Sequence, residues 1–357
     1  MKRSTVFRFN LLRFILILCL ILGLIGCKGK DSLEKGSFYS MLKDIPVRDN
    51  RFGKRIFKND LYELEERTKL PDYVGDIRQL RSHRKWIYMS DRESIYRFKN
   101  GIFEIVFTPE KGQGPNEVPQ IFRFDIRDDD IVAIAGYPEA RLLLHQLSTD
   151  TSMLIMTQYN EHVLIDKNYN FYGMNNNDLS GYMFCKFNID GDSVLSMGRF
   201  FKNQEKSLNM FDAYWDYNEK YDLIVIGFMY VGYYLVMDTG GRVKYAIESF
   251  YLPGNYPKIV THNDVSYMDN EGKAILLHLS TNKDEVHIFT AHALNKKKKI
   301  YGALIDVFDI RTGTYMFSYV LPEPLHWPIL LLDDYSLVAI TQNYDLVIWK
   351  RNQSNAF

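Results

Sequence analysis

The chain has 357 residues, and its 44 Lys+Arg are balanced by 44 Asp+Glu, so it lacks the basic excess of a nucleic-acid-binding protein. Apolar residues at 46% and charged residues at 25% exclude a disordered chain. Its 52 aromatic residues against only 11 Ala favour strands over helices, because flat rings fit a pleated surface and Ala is the best helix former.

Residues 1–13 carry Lys2, Arg3, Arg8 and Arg13 and no acid, and Phe14 to Gly26 is almost wholly apolar. A basic start and an apolar run of this length predict a secretory signal over residues 1–26, too short to span a bilayer comfortably. The run ends Leu24-Ile25-Gly26-Cys27, which resembles the bacterial lipobox. That resemblance implies cleavage before Cys27, acylation of its thiol and attachment to a membrane through the lipid (a palmitate-type chain). With Lys28 rather than Asp after Cys27, it further implies passage to the outer membrane, facing the periplasm or the cell surface. Losing the signal leaves 40 basic against 44 acidic residues, a net charge of −4. Cys19 leaves with the signal and Cys27 takes lipid, so Cys185 has no disulfide partner and reads as a buried small hydrophobe. Residues 27–50 show no sustained periodicity and are expected to be the lipidated Cys and a flexible tether.

From residue 51 onward the sequence repeats. Lys99-Asn100-Gly101, Ser148-Thr149-Asp150, Asp190-Gly191-Asp192, Thr239-Gly240-Gly241 and Arg311-Thr312-Gly313 each divide two strand-like runs. Asn-Gly and Gly-Gly supply the positive φ of tight hairpins. A second set of turns lies near His83, Asp129, Asn168, Asn218, Lys283 and Asp334, at successive spacings of 46, 39, 50, 65 and 51. A loose period near fifty with four strands per unit predicts a six-bladed β-propeller over residues 51–357. The sixth unit ends at Asp345-Leu-Val-Ile-Trp-Lys350 without a fourth strand, while Arg55–Lys58 and Leu61–Leu64 are strand-like and unassigned. An N-terminal strand is therefore expected to complete blade six, removing two exposed sheet edges.

Lys111-Gly112-Gln113-Gly114-Pro115-Asn116-Glu117-Val118 resembles the glycine-rich element of six-bladed β-propeller lipoproteins of Bacteroidetes, relatives of NHL- and TolB-type propellers. Leu70-Pro-Asp-Tyr-Val-Gly-Asp-Ile77 resembles the segment leading into their first blade. Asn116 stands where that family has Gly, and Val118 where it has an aromatic residue. Gly112, Gly114, Pro115, Asn116 and Glu117 read as a structural loop, with the glycines bending the chain, Pro115 fixing φ and Glu117 accepting backbone N–H bonds. It is no P-loop, since no Gly-Lys-Ser/Thr follows.

In a propeller of this register the loops between the second and third strands, and between blades, open on one face. Tyr137, Arg141, Asn176, Asp178, Tyr230 and Tyr233 are candidate ligand residues there, because rings stack on sugar faces and amides bond hydroxyls. The plainer alternative is that Tyr230 and Tyr233 pack between blades. The innermost strands would turn Arg123, Asp125 and His278 towards a central channel, where an Arg123–Asp125 ion pair is the simplest arrangement. Arg123 would repel a cation, and no metal or other cofactor motif is present. No catalytic constellation is evident. The leading reading is a binding module for a glycan, a peptide or another envelope protein. The alternative is a hydrolase or lyase acting at the channel mouth.

Overall fold

The computed structural model describes residues 45–50, 54–112, 114, 117–128, 130–137, 141–156, 162–175, 183–188, 195–199, 213–230, 232–250, 259–262, 265–268, 276–290 and 304–352. The expected signal segment, Cys27 and the chain up to residue 44 lie outside them. No helix occurs among the described residues. The chain begins with β1 (Val47–Arg48) and β2 (Tyr62–Lys69). Blade 1 is β3 (Gln79–His83), β4 (Trp86–Ser90), β5 (Ile95–Lys99) and β6 (Ile102–Phe107). Blade 2 is β7 (Gln120–Arg127), β8 (Ile131–Tyr137), β9 (Arg141–Gln146) and β10 (Thr151–Met156). Blade 3 is β11 (Leu164–Ile165), β12 (Phe171–Asn175), β13 (Met183–Phe187) and β14 (Leu195–Arg199). Blade 4 is β15 (Ala213–Asn218), β16 (Leu223–Phe228), β17 (Tyr233–Asp238) and β18 (Val243–Glu248). A separate hairpin, β19 (Ile259–His262) and β20 (Val265–Met268), precedes blade 5, which is β21 (Leu276–Asn282), β22 (Glu285–Thr290), β23 (Leu304–Asp309) and β24 (Tyr315–Val320). Blade 6 is β25 (Leu325–Leu331), β26 (Leu337–Thr341), β27 (Asp345–Arg351) and, outermost, β2.

This is a six-bladed β-propeller of four-stranded antiparallel sheets. The first strands β3, β7, β11, β15, β21 and β25 touch one another in a closed ring about the axis. Each expected inner turn is a hairpin holding a non-glycine residue at positive φ: Arg84, Asp128, Tyr169, Asp222, Lys283 and Tyr335. The Asn100-Gly101 turn has φ of 51° and 77°, as a tight hairpin requires. The Asp190–Asp192 turn lies outside the described residues.

The core explains why the aromatic content is high. Six apolar clusters fill the six gaps between neighbouring blades, the last joining Leu330, Val338 and Ile340 of blade 6 to Leu80, Ile87 and Met89 of blade 1. Middle strands are covered on both faces, so β22 and β26 are buried throughout, whereas the rim strand β6 leaves Ile102 and Ile105 exposed. Tyr88, Tyr172, Tyr234 and Tyr319 are fully buried in these wedges. Cys185 is buried between blades 2 and 3.

The expected closure is present: β2 pairs antiparallel with β27, from Tyr62↔Arg351 to Lys69↔Asp345. The N-terminal chain does more than the sequence pattern indicates. Val47 and Arg48 pair in parallel with Ala246 and Ile247 on the rim of blade 4. Further on, Lys58 N–H donates to Ser318 O (2.9 Å) and Ser318 N–H to Ile56 O (2.8 Å) on the rim of blade 5. Arg55 adds a bidentate pair with buried Asp306 at 2.8 and 2.9 Å. The described part of the expected tether, residues 45–50, thus lies along a sheet edge. One strap covers the outer edges of blades 4, 5 and 6, satisfying backbone groups that a rim strand otherwise leaves open.

A candidate binding cup on the propeller axis

Alternation along the first strands aims every second side chain at the axis. Gln79 and Arg81 on β3, Arg123 and Asp125 on β7, Tyr214 and Asp216 on β15, and His278 and Ser280 on β21 follow that period. Four of these side chains also take a backbone N–H from the next blade's first strand. Gln79 Oε1 accepts from Phe124 (2.9 Å), Asp125 Oδ2 from Ile165 (2.7 Å), Asp216 Oδ2 from Thr281 (2.6 Å) and Ser280 Oγ from Leu331 (3.0 Å). The inner ring is therefore stitched blade to blade by polar side chains that would otherwise be buried without partners.

Arg81 crosses the axis. Its Nε donates to Asp125 Oδ1 at 3.0 Å, its Nη2 donates to Trp215 O at 3.3 Å, and its Nη1 lies 3.7 Å from Asp216 Oδ1. These contacts join blade 1 to blades 2 and 4. The expected Arg123–Asp125 pair is corrected accordingly: Asp125 is the partner of Arg81, and Arg123 leans over the Tyr214 ring at 5.3 Å. Burial pushes the Asp125 and Asp216 carboxyls above the usual range, with the Arg81 charge as the main opposing influence.

Above this floor is a small cup lined by Arg78, Arg123, His162, Trp215 and His278, with Gln79, Val163 and Tyr214. It opens where the first strands begin, on the face carrying the loops between blades. Its free space is on the scale of one ordered water, so it admits the end group of a ligand rather than a sugar ring. His162 stacks on Trp215 with centroids 5.3 Å apart, and His278 tilts against Tyr214 at 4.6 Å. Burial, reinforced by the Arg123 and Arg81 charges, holds both imidazoles far below their ordinary pKa, so they are neutral at pH 7. The indole Nε1 of Trp215 and Nδ1 of His278 are buried with no hydrogen-bond partner among the described residues. Arg78 is paired with Asp76 at 2.6 Å. Arg123 donates only a 3.5 Å bond to Phe122 O and faces aromatic rings, with no carboxylate partner among the described residues. Nor do three His, Cys, Asp or Glu side chains cluster as metal ligands among the described residues.

The other residues singled out in the sequence lie elsewhere. Glu117 Oε2 accepts the Gly114 N–H at 2.6 Å, and Arg141 Nη1 donates to the carbonyls of Gly114 and Glu117. A Cβ at Gly112 would sit 1.9 Å from Glu117 Oε2, and one at Gly114 2.8 Å from Glu117 Cδ. Gly112 and Gly114 make room for that carboxylate; neither has positive φ. Pro115 and Asn116 lie outside the described residues. Val118, buried against Gly136, plugs the gap between blades 1 and 2. Tyr137 ends β8, its backbone paired with Gln120. Tyr233 is buried and donates to Glu248 Oε1 at 2.6 Å, and Tyr230 packs against the core between blades 4 and 5. Asn176 and Asp178 lie outside the described residues.

No protein-family model matches the chain, and no curated protein matches it. Solved structures do. A member of the DUF4221 family from Bacteroides vulgatus superposes with a TM-score of 0.55 at 13% identity, covering 82% of this chain and 97% of that one. A candidate exported protein from Bacteroides fragilis gives 0.54 at 12% identity, covering 86% and 99%. A protein of unknown function from Bacteroides thetaiotaomicron gives 0.53 at 11% identity, covering 84% and 75%. At these identities the similarity is one of fold, and the fold shared with these Bacteroides proteins is the six-bladed β-propeller.

Proposed function

We propose that this chain is an exported, lipid-anchored binding module of the bacterial envelope whose ligand docks end-on into the axial cup. The observation that carries the reading is the cup itself: a mouth on the loop face, floored by Arg81 and walled by the buried Trp215 Nε1–H and His278 Nδ1, which make no hydrogen bond among the described residues. Binding sites concentrate on loop-bearing faces of rigid scaffolds. Export is supported by the basic and apolar N-terminus ending at Cys27 and by the Bacteroides fragilis neighbour. A glycan reaching the cup by its terminal group fits best, with a peptide end as the second choice. A hydrolase or lyase is disfavoured because both nearby acids are engaged. Asp125 Oδ1 takes Arg81 and Oδ2 takes Ile165 N–H, while Asp216 takes Tyr217 N–H, Thr281 N–H and two hydroxyls. Neither acid on the cup floor has an oxygen without a hydrogen bond, which weighs against their moving a proton on a ligand.

Glycan-array screening of the mature chain, followed by NMR of the tryptophan indole and histidine ring N–H signals with any hit, tests the reading. Shifts of the Trp215 and His278 signals are expected; shifts confined to residues of the rim reject the cup. Anchoring is tested by Cys27→Ser, which is expected to move the protein from the membrane to the soluble fraction. Continued membrane retention rejects lipidation at that residue.

A further inference from the structure

We infer that the axial cup selects an oxyanion, a carboxylate or sulfate end group, held by the Arg123 guanidinium and the N–H groups of Trp215 and His278. This rests on the cup being the ligand site and goes further by fixing the ligand's charge and shape. Three observations carry it. Two wall atoms have no hydrogen-bond partner among the described residues: Trp215 Nε1–H can only donate, and Nδ1 of His278 donates when the ring proton is placed there. Arg81 and Arg78 have carboxylate partners, whereas Arg123 has none among the described residues. Its fork lies half-buried over aromatic faces, which orient a guanidinium without neutralising it. The acids within reach cannot fill the role, because Asp125 and Asp216 are held on the floor by Arg81 and by backbone N–H groups of blades 3 and 5. A cation or a purely accepting wall would meet the opposite pattern of atoms. A planar or tetrahedral oxyanion matches a guanidinium fork flanked by N–H donors; the narrow space takes one of its oxygens and keeps the rest of the molecule at the mouth, beside the half-buried Arg123.

Sodium D-glucuronate, sodium sulfate and, as neutral control, D-glucose are titrated into the mature chain. Ionic strength is matched with sodium chloride, and intrinsic fluorescence and melting temperature are read. Saturable binding of glucuronate or sulfate, with glucose silent, is expected. Arg123→Gln is expected to weaken it about ten- to a hundredfold, the size of a lost charge-assisted hydrogen bond. Arg123→Lys, which keeps the charge but not the fork, is expected to fall between. Glucuronate alone identifies a carboxylate ligand and sulfate alone a sulfated one. The inference is overturned if glucose binds as tightly as glucuronate, if Arg123→Gln binds the anions like wild type, or if neither anion acts beyond sodium chloride. Should Arg123→Gln fail to fold, the wild-type comparison of glucuronate with glucose still decides. A glycan that shifts the Trp215 indole signal but binds equally well to the Arg123 variants sinks the oxyanion and leaves the cup standing; shifts only at the rim sink both.

Discussion

Replacing Arg351 by Met tests how the ring is fastened. Arg351 ends β27 and makes two 2.8 Å bonds to Glu285 on β22, with side-chain exposures of 9% and 6%. It also sits over the rings of Phe317 and Tyr335 at 5.4 and 5.1 Å. Removing one member of a buried pair costs about 3–5 kcal/mol, because the remaining charge stays desolvated. Glu285 retains His287 Nε2 at 2.8 Å, whose Nδ1 is in turn bonded to Tyr319 at 2.9 Å. That remaining hydrogen bond places the expected loss near the lower bound, about 3 kcal/mol. Unfolding entropy of about 2.1 cal/mol/K per residue over roughly 300 residues gives about 0.6 kcal/mol/K, so the melting temperature should drop by about 5 °C. Calorimetry or circular dichroism at neutral pH measures it. The double variant Glu285→Gln, Arg351→Met should recover about half the loss, since an amide is cheaper to bury than an orphaned carboxylate. A single variant melting within about 1 °C of wild type, or a double variant no better than the single, would refute the reasoning.

Other consequences follow from the same geometry. The carboxyl of Glu285 is lowered from 4.5 to about 2: burial opposes the shift, but the His287 hydrogen bond and the His287 and Arg351 charges outweigh it. A lowered acid stabilises the fold above its unfolded pKa, so this contribution, about 3 kcal/mol, is lost as pH falls from about 5 towards 2. Asp125 and Asp216, raised by burial, work the other way, so urea melts of wild type and Glu285→Gln across that range isolate Glu285, and a constant gap between them contradicts the assignment. Deleting residues 51–70 removes β2 and the Arg55–Asp306 pair and should lower the melting temperature more than Arg351→Met does; unchanged melting rejects the closure. Gly112→Ala must displace the Glu117 carboxylate and should cost about 1–3 kcal/mol of stability, as overpacking does; a neutral effect shows that the Glu117–Gly114 bond is dispensable. Gly114→Val should mainly impair folding, and a variant of native stability that had lost ligand binding would give the loop a direct part in recognition.

Much of the architecture is legible because each blade repeats local signals. Asn100-Gly101 and Thr239-Gly240-Gly241 mark hairpins by the backbone freedom they supply, and the apolar runs before them become the middle strands β5 and β17. The missing fourth strand of blade 6 is a counting argument, and β2 answers it. What escapes is whatever depends on short or distant contacts. Two residues, Val47 and Arg48, carry no periodicity, yet they pair with β18. The cup is drawn from blades 1 to 5, so its residues share no motif. Arg81 in particular is a lone cation in the strand Gln79–His83, and only its two-residue spacing from Gln79, matching Arg123–Asp125 on β7, hints that it points inward. The aromatic excess reads as a ligand surface when Tyr230 and Tyr233 are considered alone; the wedge shape of the gaps between blades consumes most such rings.

The strap has a bearing on how this molecule comes into being. Asn352 reaches back 292 residues to Asp60, and Arg351 lies opposite Tyr62, so the fastening waits until nearly all of the polypeptide has left the ribosome. Pairings this far apart along the chain are slow to form. Until then blade 6 lacks its outermost strand, β2. The ring therefore stays open, with its last sheet edge unpaired, for most of the time the chain is being made.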